Sequence, residues 1–213
     1  MPLRPVSIER VAGTFEWIAG ATCLDFTNTV TWRMDGLCNE RLATFDDLVV
    51  WSVAAGLMTR EGARTLRIHA QSHPRVAAAA LLEAHATRLR LHQIFTHVAM
   101  HRPLRAREIA HFNRALARTS ASAHLVPHGR GFRWRFARNA EDLGQLVRPV
   151  TIDAAHLLAS DDLTLLQTCA NDNCGWLFVN RSRNGLRRWC DMRTCGNKAK
   201  ARRYYHRARR ATR

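Results

Sequence analysis

Acidic residues are scarce in this chain. Its 213 residues hold 17 Asp and Glu against 33 Lys and Arg, a formal net charge of +16. An excess that large implies a polyanionic partner, most simply nucleic acid, with an anionic membrane surface as the rival. Long apolar runs are also missing: none approaches the roughly 20 residues of a membrane span. The opening MPLRPVSIERVAGTFEW carries no apolar region of the kind a secretory signal needs. The expectation is a cytoplasmic protein that does not engage a membrane. In that compartment clustered cysteines serve metals more often than disulfides. No nucleophile elbow, P-loop or dinucleotide fingerprint is present, so nothing in the sequence supports an enzyme.

What acid there is lies mostly in the front of the chain. Residues 169–213 contain 13 Lys and Arg and only two acids, Asp172 and Asp191. The other 168 residues hold 20 Lys and Arg against 15 Asp and Glu. This compositional step places a boundary near residue 165, between a domain over 1–160 and a small module over 165–213.

The front domain reads as mainly α. Thr44 is placed to cap a helix through FDDLVVWSVAA, with Asp46 and Asp47 in its first turn and Gly56 at its end. Thr59 caps a second helix that stops before Pro74, and Pro74 opens a long helix to about Met100. Leu91, Ile94, Phe95 and Val98 form its buried stripe at i, i+3, i+4, i+7. A helix over about 105–118 follows the break at Pro103. In GFRWRFA, Phe132, Trp134 and Phe136 alternate with Arg133 and Arg135, which predicts a strand with one buried face. His128-Gly129-Arg130-Gly131 would be the turn of its hairpin. A last helical region over about 141–158 is expected to kink at Pro149.

Four of the six cysteines share one spacing: Cys169-x4-Cys174, fifteen residues, then Cys190-x4-Cys195. Two close pairs separated by a hairpin-sized gap is the layout of a tetrahedral zinc site. Four thiolates leave no open position, so one structural Zn2+ is expected; an iron–sulfur centre also fits all-cysteine ligation. The gap reads as a hairpin turning at Asn184-Gly185, with Trp176, Phe178, Arg187 and Trp189 on its strands. After Cys195, Ala201, Tyr204, Tyr205 and Ala208 fall on one helical stripe. The helix is expected to dock by that tyrosine side and to present its basic side. Knuckle, hairpin, second knuckle and helix suggest a treble-clef-like module. Its arginines suit phosphate forks and guanine edges better than lysines would.

The stretch CGWLFVNRSRNGLRRWCDMRTCGNKAKARR resembles the CGNR zinc-finger family, with Cys195-Gly196-Asn197-Lys198 at the defining run. Lysine stands where that family has its final arginine. ATCLDFTNTVTWR and LATFDDLVVWSVAAGLM resemble the ABATE domain that typically precedes this finger. The resemblance implies a bacterial, stress-induced transcriptional regulator. It implies Cys169, Cys174, Cys190 and Cys195 as zinc ligands. Arg183, Arg187, Arg188, Lys198, Lys200, Arg202 and Arg203 are the expected nucleic-acid contacts, with DNA favoured over RNA.

Asp25, Asn28, Thr29 and Arg33 are candidates to line a pocket for a small-molecule effector, although such residues more often cap turns. A domain that mediates assembly, through a homodimer, is the other role open to the front half. His69/His73 and His97/His101 have i, i+4 metal spacing but lack the HExxH glutamate and read as helix-surface residues. Cys23 and Cys38 read as ordinary reduced thiols.

Overall fold

The computed structural model describes residues 8–10, 15–32, 38–136 and 142–211. The front domain is helical, with α1 (Thr22–Thr27), α2 (Phe45–Ala54), α3 (Arg60–Ser72), α4 (Pro74–Ala99), α5 (Ala106–Ser120) and α6 (Arg148–Leu158). Local chemistry sets the starts. The Thr44 hydroxyl accepts from the Asp47 amide at 3.1 Å, and the Asp47 carboxylate accepts from the Thr44 amide at 2.7 Å. This reciprocal cap satisfies two of the free donors at the start of α2. Thr59 Oγ1 caps α3 by accepting from the Gly62 amide at 3.1 Å.

The long helix α4 is the spine. Leu91, Ile94 and Phe95 are buried, and Val98 is half-buried, on the expected stripe. Leu91 and Phe95 join Leu24 and Phe26 of α1 and Trp51 of α2 in one cluster, with Val98 packed against it. Trp51 and Phe26 pack at 5.1 Å with their rings inclined at 57°, a favourable tilted arrangement. Pro149 does not kink a helix. A 3-10 turn over Leu143–Val147 ends where α6 begins, so the proline stands in the first turn, where an absent N–H leaves no bond unmade.

Strands are few and short. β1 (Ile8–Arg10) pairs in parallel with β2 (Cys38–Glu40). β3 (Ala123–His128) pairs antiparallel with β4 (Gly131–Phe136). Pro127 lies opposite Phe132, Leu125 opposite Trp134 and Ala123 opposite Phe136. The hairpin and its turn stand as expected, but its aromatic face is not buried: Phe132 is 71% and Trp134 47% exposed. Strand alternation fixes which side chains share a face, and the helices cover only the Phe136 end.

β5 (Leu166–Thr168) and β6 (Leu177–Val179) form the third antiparallel pair. Leu166, Trp176, Leu177, Phe178 and Val179 belong to the same buried cluster as Leu24, Phe26 and Leu91. The C-terminal module is thus packed on α1 and α4, its core continuous with that of the helices. Among the described residues no helix is long and apolar enough to cross a membrane.

Candidate metal centre and basic helix

The first knuckle is built on the β5–β6 hairpin. Cys169 follows β5, Cys174 precedes β6, and the Cys169 amide donates to Trp176 O at 2.8 Å. Gly175, with φ of +65°, makes the turn. A side chain there would meet Trp32 Cβ at 2.6 Å and its carbonyl at 2.7 Å, so only glycine fits.

The second arm differs from the hairpin expected from the sequence. Residues 182–185 do turn, with Gly185 at φ of +67° and its amide bonded to Ser182 O at 3.0 Å. Residues 186–189 form no strand. Asn180 holds them instead: its Nδ2 donates to Gly185 O at 2.8 Å and to Arg187 O at 3.2 Å, while its Oδ1 accepts from the Ser182 hydroxyl at 2.6 Å. One buried amide thereby replaces a sheet ladder. Asn180 was not singled out in the sequence; its signal is an amide beside a strand of wholly apolar residues.

A widened helical turn over Met192–Gly196 carries Cys195 and runs directly into α7 (Asn197–Ala211). The Asp191 carboxylate caps the turn by accepting from the Arg193 amide at 3.0 Å. A Cβ at the glycine after Cys195 would meet the Met192 side chain, which would have to swing aside.

These elements bring the four predicted ligands together. All four Sγ atoms of Cys169, Cys174, Cys190 and Cys195 lie within 4.8 Å of one another, and all four residues are buried. Cys190 Sγ is 3.7 Å from Cys174 Sγ and 3.6 Å from Cys195 Sγ. Those separations exclude disulfides, whose S–S distance is about 2.0 Å. They suit a tetrahedron with zinc–sulfur bonds of about 2.3 Å, whose edge is about 3.8 Å. Hydrogen bonds from Cys169, Cys174 and Cys190 hold the Cys195 thiol well below its ordinary range, with help from Asn171 Nδ2 at 3.4 Å. Bonds to Cys174 and Cys190 bring Cys169 down to about 7. Cys174 and Cys190 are pushed up in return, because they act as the donors. A divalent cation at the centre lets all four ionise together. The donor set therefore fits one structural zinc, held by these four residues, which closes the fold and leaves no site for chemistry.

The predicted contact residues divide. Arg183, Arg188, Lys198, Lys200, Arg202 and Arg203 are exposed. Arg202 makes one ion pair, with the exposed Asp172 at 3.2 Å. Arg187 is different: its guanidinium is half-buried, donates to Trp189 O at 3.1 Å and Ile18 O at 3.0 Å, and lies 4.2 Å over the Phe178 ring. It braces the module against the segment before α1, which sets it apart from the free arginines. The tyrosine side of α7 is not docked. Tyr204 and Tyr205 are 71% and 68% exposed, and Ala201 is exposed too; Ala208 lies beyond the described side chains. The stripe is real, but nothing among the described residues covers Ala201, Tyr204 or Tyr205, so over residues 201–205 the helix turns both faces to solvent.

Three of the four candidate pocket residues are committed to the interior. Asp25 Oδ1 accepts from the Ile18 and Ala19 amides at 3.1 and 3.0 Å. Burial nevertheless raises its carboxyl to about 6. Asn28 Nδ2 donates to Leu177 O at 2.9 Å and its Oδ1 accepts from the Leu177 amide at 3.0 Å. Thr29 Oγ1 donates to Phe26 O at 2.7 Å and accepts from buried Arg88 at 2.8 Å, and Arg88 is paired with Glu40. Arg33 lies outside the described residues. A cleft of about 520 Å3 lies elsewhere, between β4, the α2–α3 turn and α6, lined by Met58, Trp134, Phe136, Asp153 and His156 among others.

Asn28 is one of several hooks between the halves. Trp176 Nε1 donates to Val30 O at 2.8 Å, the Trp32 amide to Cys174 O at 3.1 Å and the Val179 amide to Ala19 O at 2.8 Å. His92 Nε2 meets Gly175 O at 2.8 Å while its ring stacks on Trp32 at 3.9 Å. Burial lowers the His92 pKa to about 4, so the ring is neutral and its Nε2 carries the proton toward that carbonyl.

A helical domain joined through one core to a four-cysteine zinc module with a projecting basic helix defines a zinc-finger protein. The particular family follows from sequence. Residues 20–161 match the ABATE domain, described as "putative stress-induced transcription regulator", and residues 166–208 match the CGNR zinc finger. The chain belongs to the ABATE family and carries a CGNR finger. No curated protein matches it.

Proposed function

We propose that this protein is a DNA-binding transcription regulator that grips nucleic acid with the finger. The observation that carries the reading is α7, which leaves the zinc centre at Cys195 and holds Lys198, Lys200, Arg202 and Arg203 in solvent. An anchored helix start with exposed cations, of which only Arg202 is ion-paired, to Asp172, is suited to docking against a duplex. The family match supports regulation as the purpose. In this reading the front domain senses or assembles, the cleft beside β4 is the place for an effector, and the working location is the cytoplasm, on the nucleoid. RNA is the second reading, favoured by the exposed rings of Tyr204 and Tyr205, which are free to stack on unpaired bases.

Crosslinking of the wild type in cells, with parallel recovery of DNA and RNA, tests this against a Lys198→Ala/Lys200→Ala variant. DNA enriched over the variant supports the proposal. RNA alone transfers it to the second reading, and no enrichment of either removes it. In vitro, log affinity should fall linearly with log salt, each lost phosphate contact flattening the slope by about 0.9 on duplex DNA.

A further inference from the structure

Outside the finger, one surface combines cations and bare aromatic rings. The sequence from Ile109 to Ala140 contains six arginines and no Asp or Glu. The β3–β4 ribbon lies within it. Other arginines of this molecule are neutralised: Arg67 by Asp46, Arg88 by Glu40, Arg181 by Asp162 and Arg202 by Asp172. Arg130, Arg133 and Arg135 have no ion pair or hydrogen bond among the described residues. Glu61 and Asp153 face Arg133 and Arg135 across the cleft beneath, without pairing to them.

The other face of the ribbon carries Leu125, Pro127, Phe132 and Trp134 in adjacent register, with Trp134 also reaching the rim of the cleft. Leu125, Phe132 and Trp134 are all exposed. Pro127 and Phe132 stand together one step from the turn. An exposed ring offers a flat apolar face to any base, independent of sequence. A proline or phenylalanine near the tip of a ribbon is also the shape of wedge that enters between base steps. Long arginine side chains reach around the ribbon edge to phosphates on either side of such a base. The absence of acid over 32 residues favours a phosphodiester partner over a second copy of this positively charged chain.

We propose that the β3–β4 ribbon is a second nucleic-acid contact, in which Phe132 and Trp134 stack on bases while Arg130, Arg133 and Arg135 take phosphates. This deepens the nucleic-acid reading of the protein but does not depend on the finger being the principal contact. Bases must be accessible for stacking, so the ribbon favours single strands, or duplex opened at a step.

The test uses the zinc-loaded full chain and fluorescein-labelled oligonucleotides, single-stranded and duplex, followed by anisotropy. Three variants are compared: Phe132→Ser/Trp134→Ser, Phe132→Trp/Trp134→Phe, and Lys198→Ala/Lys200→Ala. The serine pair is expected to weaken single-strand binding about tenfold or more, one ring being worth that much in stacking. The aromatic exchange should restore it. The finger variant should weaken duplex binding and leave the serine effect in place. A 5-bromouracil strand should crosslink to residues 123–136 of the wild type. An unchanged single-strand affinity in the serine pair, or crosslinks confined to residues 169–213, overturns the proposal. So does a serine pair that merely turns a dimer into a monomer in sedimentation. If the finger variant has no effect while the serine pair does, the ribbon stands and the finger reading falls. If neither strand nor duplex binds the wild type at low salt, both fall.

Discussion

Asn28→Ala tests whether the finger and the helices are one cooperative unit. The Asn28 side chain closes a two-bond ring with the main chain of Leu177, donating at 2.9 Å and accepting at 3.0 Å. Both residues are buried, Leu177 completely. Alanine leaves the Leu177 N–H and C=O in apolar surroundings with no side-chain partner. Each orphaned buried group costs about 1–3 kcal/mol, so the variant should lose about 2–6 kcal/mol. That is a large share of the 5–15 kcal/mol typical of a folded domain. Urea denaturation of the zinc-loaded chain, followed by tryptophan fluorescence, gives the stability. Hydrogen exchange at the Leu177 amide reports the site. The alanine variant should unfold in one transition at lower urea with faster exchange at Leu177. A loss below about 1 kcal/mol, the ordinary size of a surface change, or a finger transition separated from an unshifted helical one, would refute the reasoning.

Other outcomes follow from the same geometry. Chelation should release one zinc per chain and expose four thiols to a thiol reagent together, while buried Cys23 reacts only on global unfolding; stepwise release of thiols would contradict a single four-ligand centre. Gly175→Ala should lower the melting temperature, since both its positive φ and the Trp32 contact at 2.6 Å oppose a side chain; a loss of at least about 1 kcal/mol is expected, read by calorimetry. Asp25, raised by burial to about 6, binds its proton more tightly folded than unfolded. Stability relative to Asp25→Asn should therefore be highest at or below about pH 4 and fall by up to about 3 kcal/mol as pH rises to 6. A flat difference between the two proteins across that range would show that the carboxyl titrates normally.

The helices were legible because their signals are local. Thr44 and Thr59 announce starts through bonds made within three residues, and Pro74 through a missing N–H that a first turn does not need. The four ligands were legible because paired cysteines at matched spacing have few other uses. The rest depended on partners distant in sequence. Asn28 reads as a polar residue near a loop until Leu177, 149 positions away, comes to meet it. Arg187 reads as one more surface cation until Ile18 and Phe178 enclose it. Alternation in β4 and the tyrosine stripe of α7 each specified a face correctly, yet periodicity cannot say whether another element covers that face. Among the described residues the tyrosine stripe is uncovered, and the β4 face is covered only at Phe136.

The shared core has a consequence for modularity. Sequence matching divides the chain at residues 161 and 166, which invites cutting there and grafting the finger onto another protein. Such a graft would bare Leu177, Phe178 and Val179, buried here against α1 and α4, would free Trp176 from Val30 and Arg41, and would strip Arg187 of its Ile18 partner. The excised finger could bind its metal and still present a greasy flank to solvent. The packed unit in this chain is the pair, and a working transplant would have to carry the segment around Asn28 together with the β6 strand it holds.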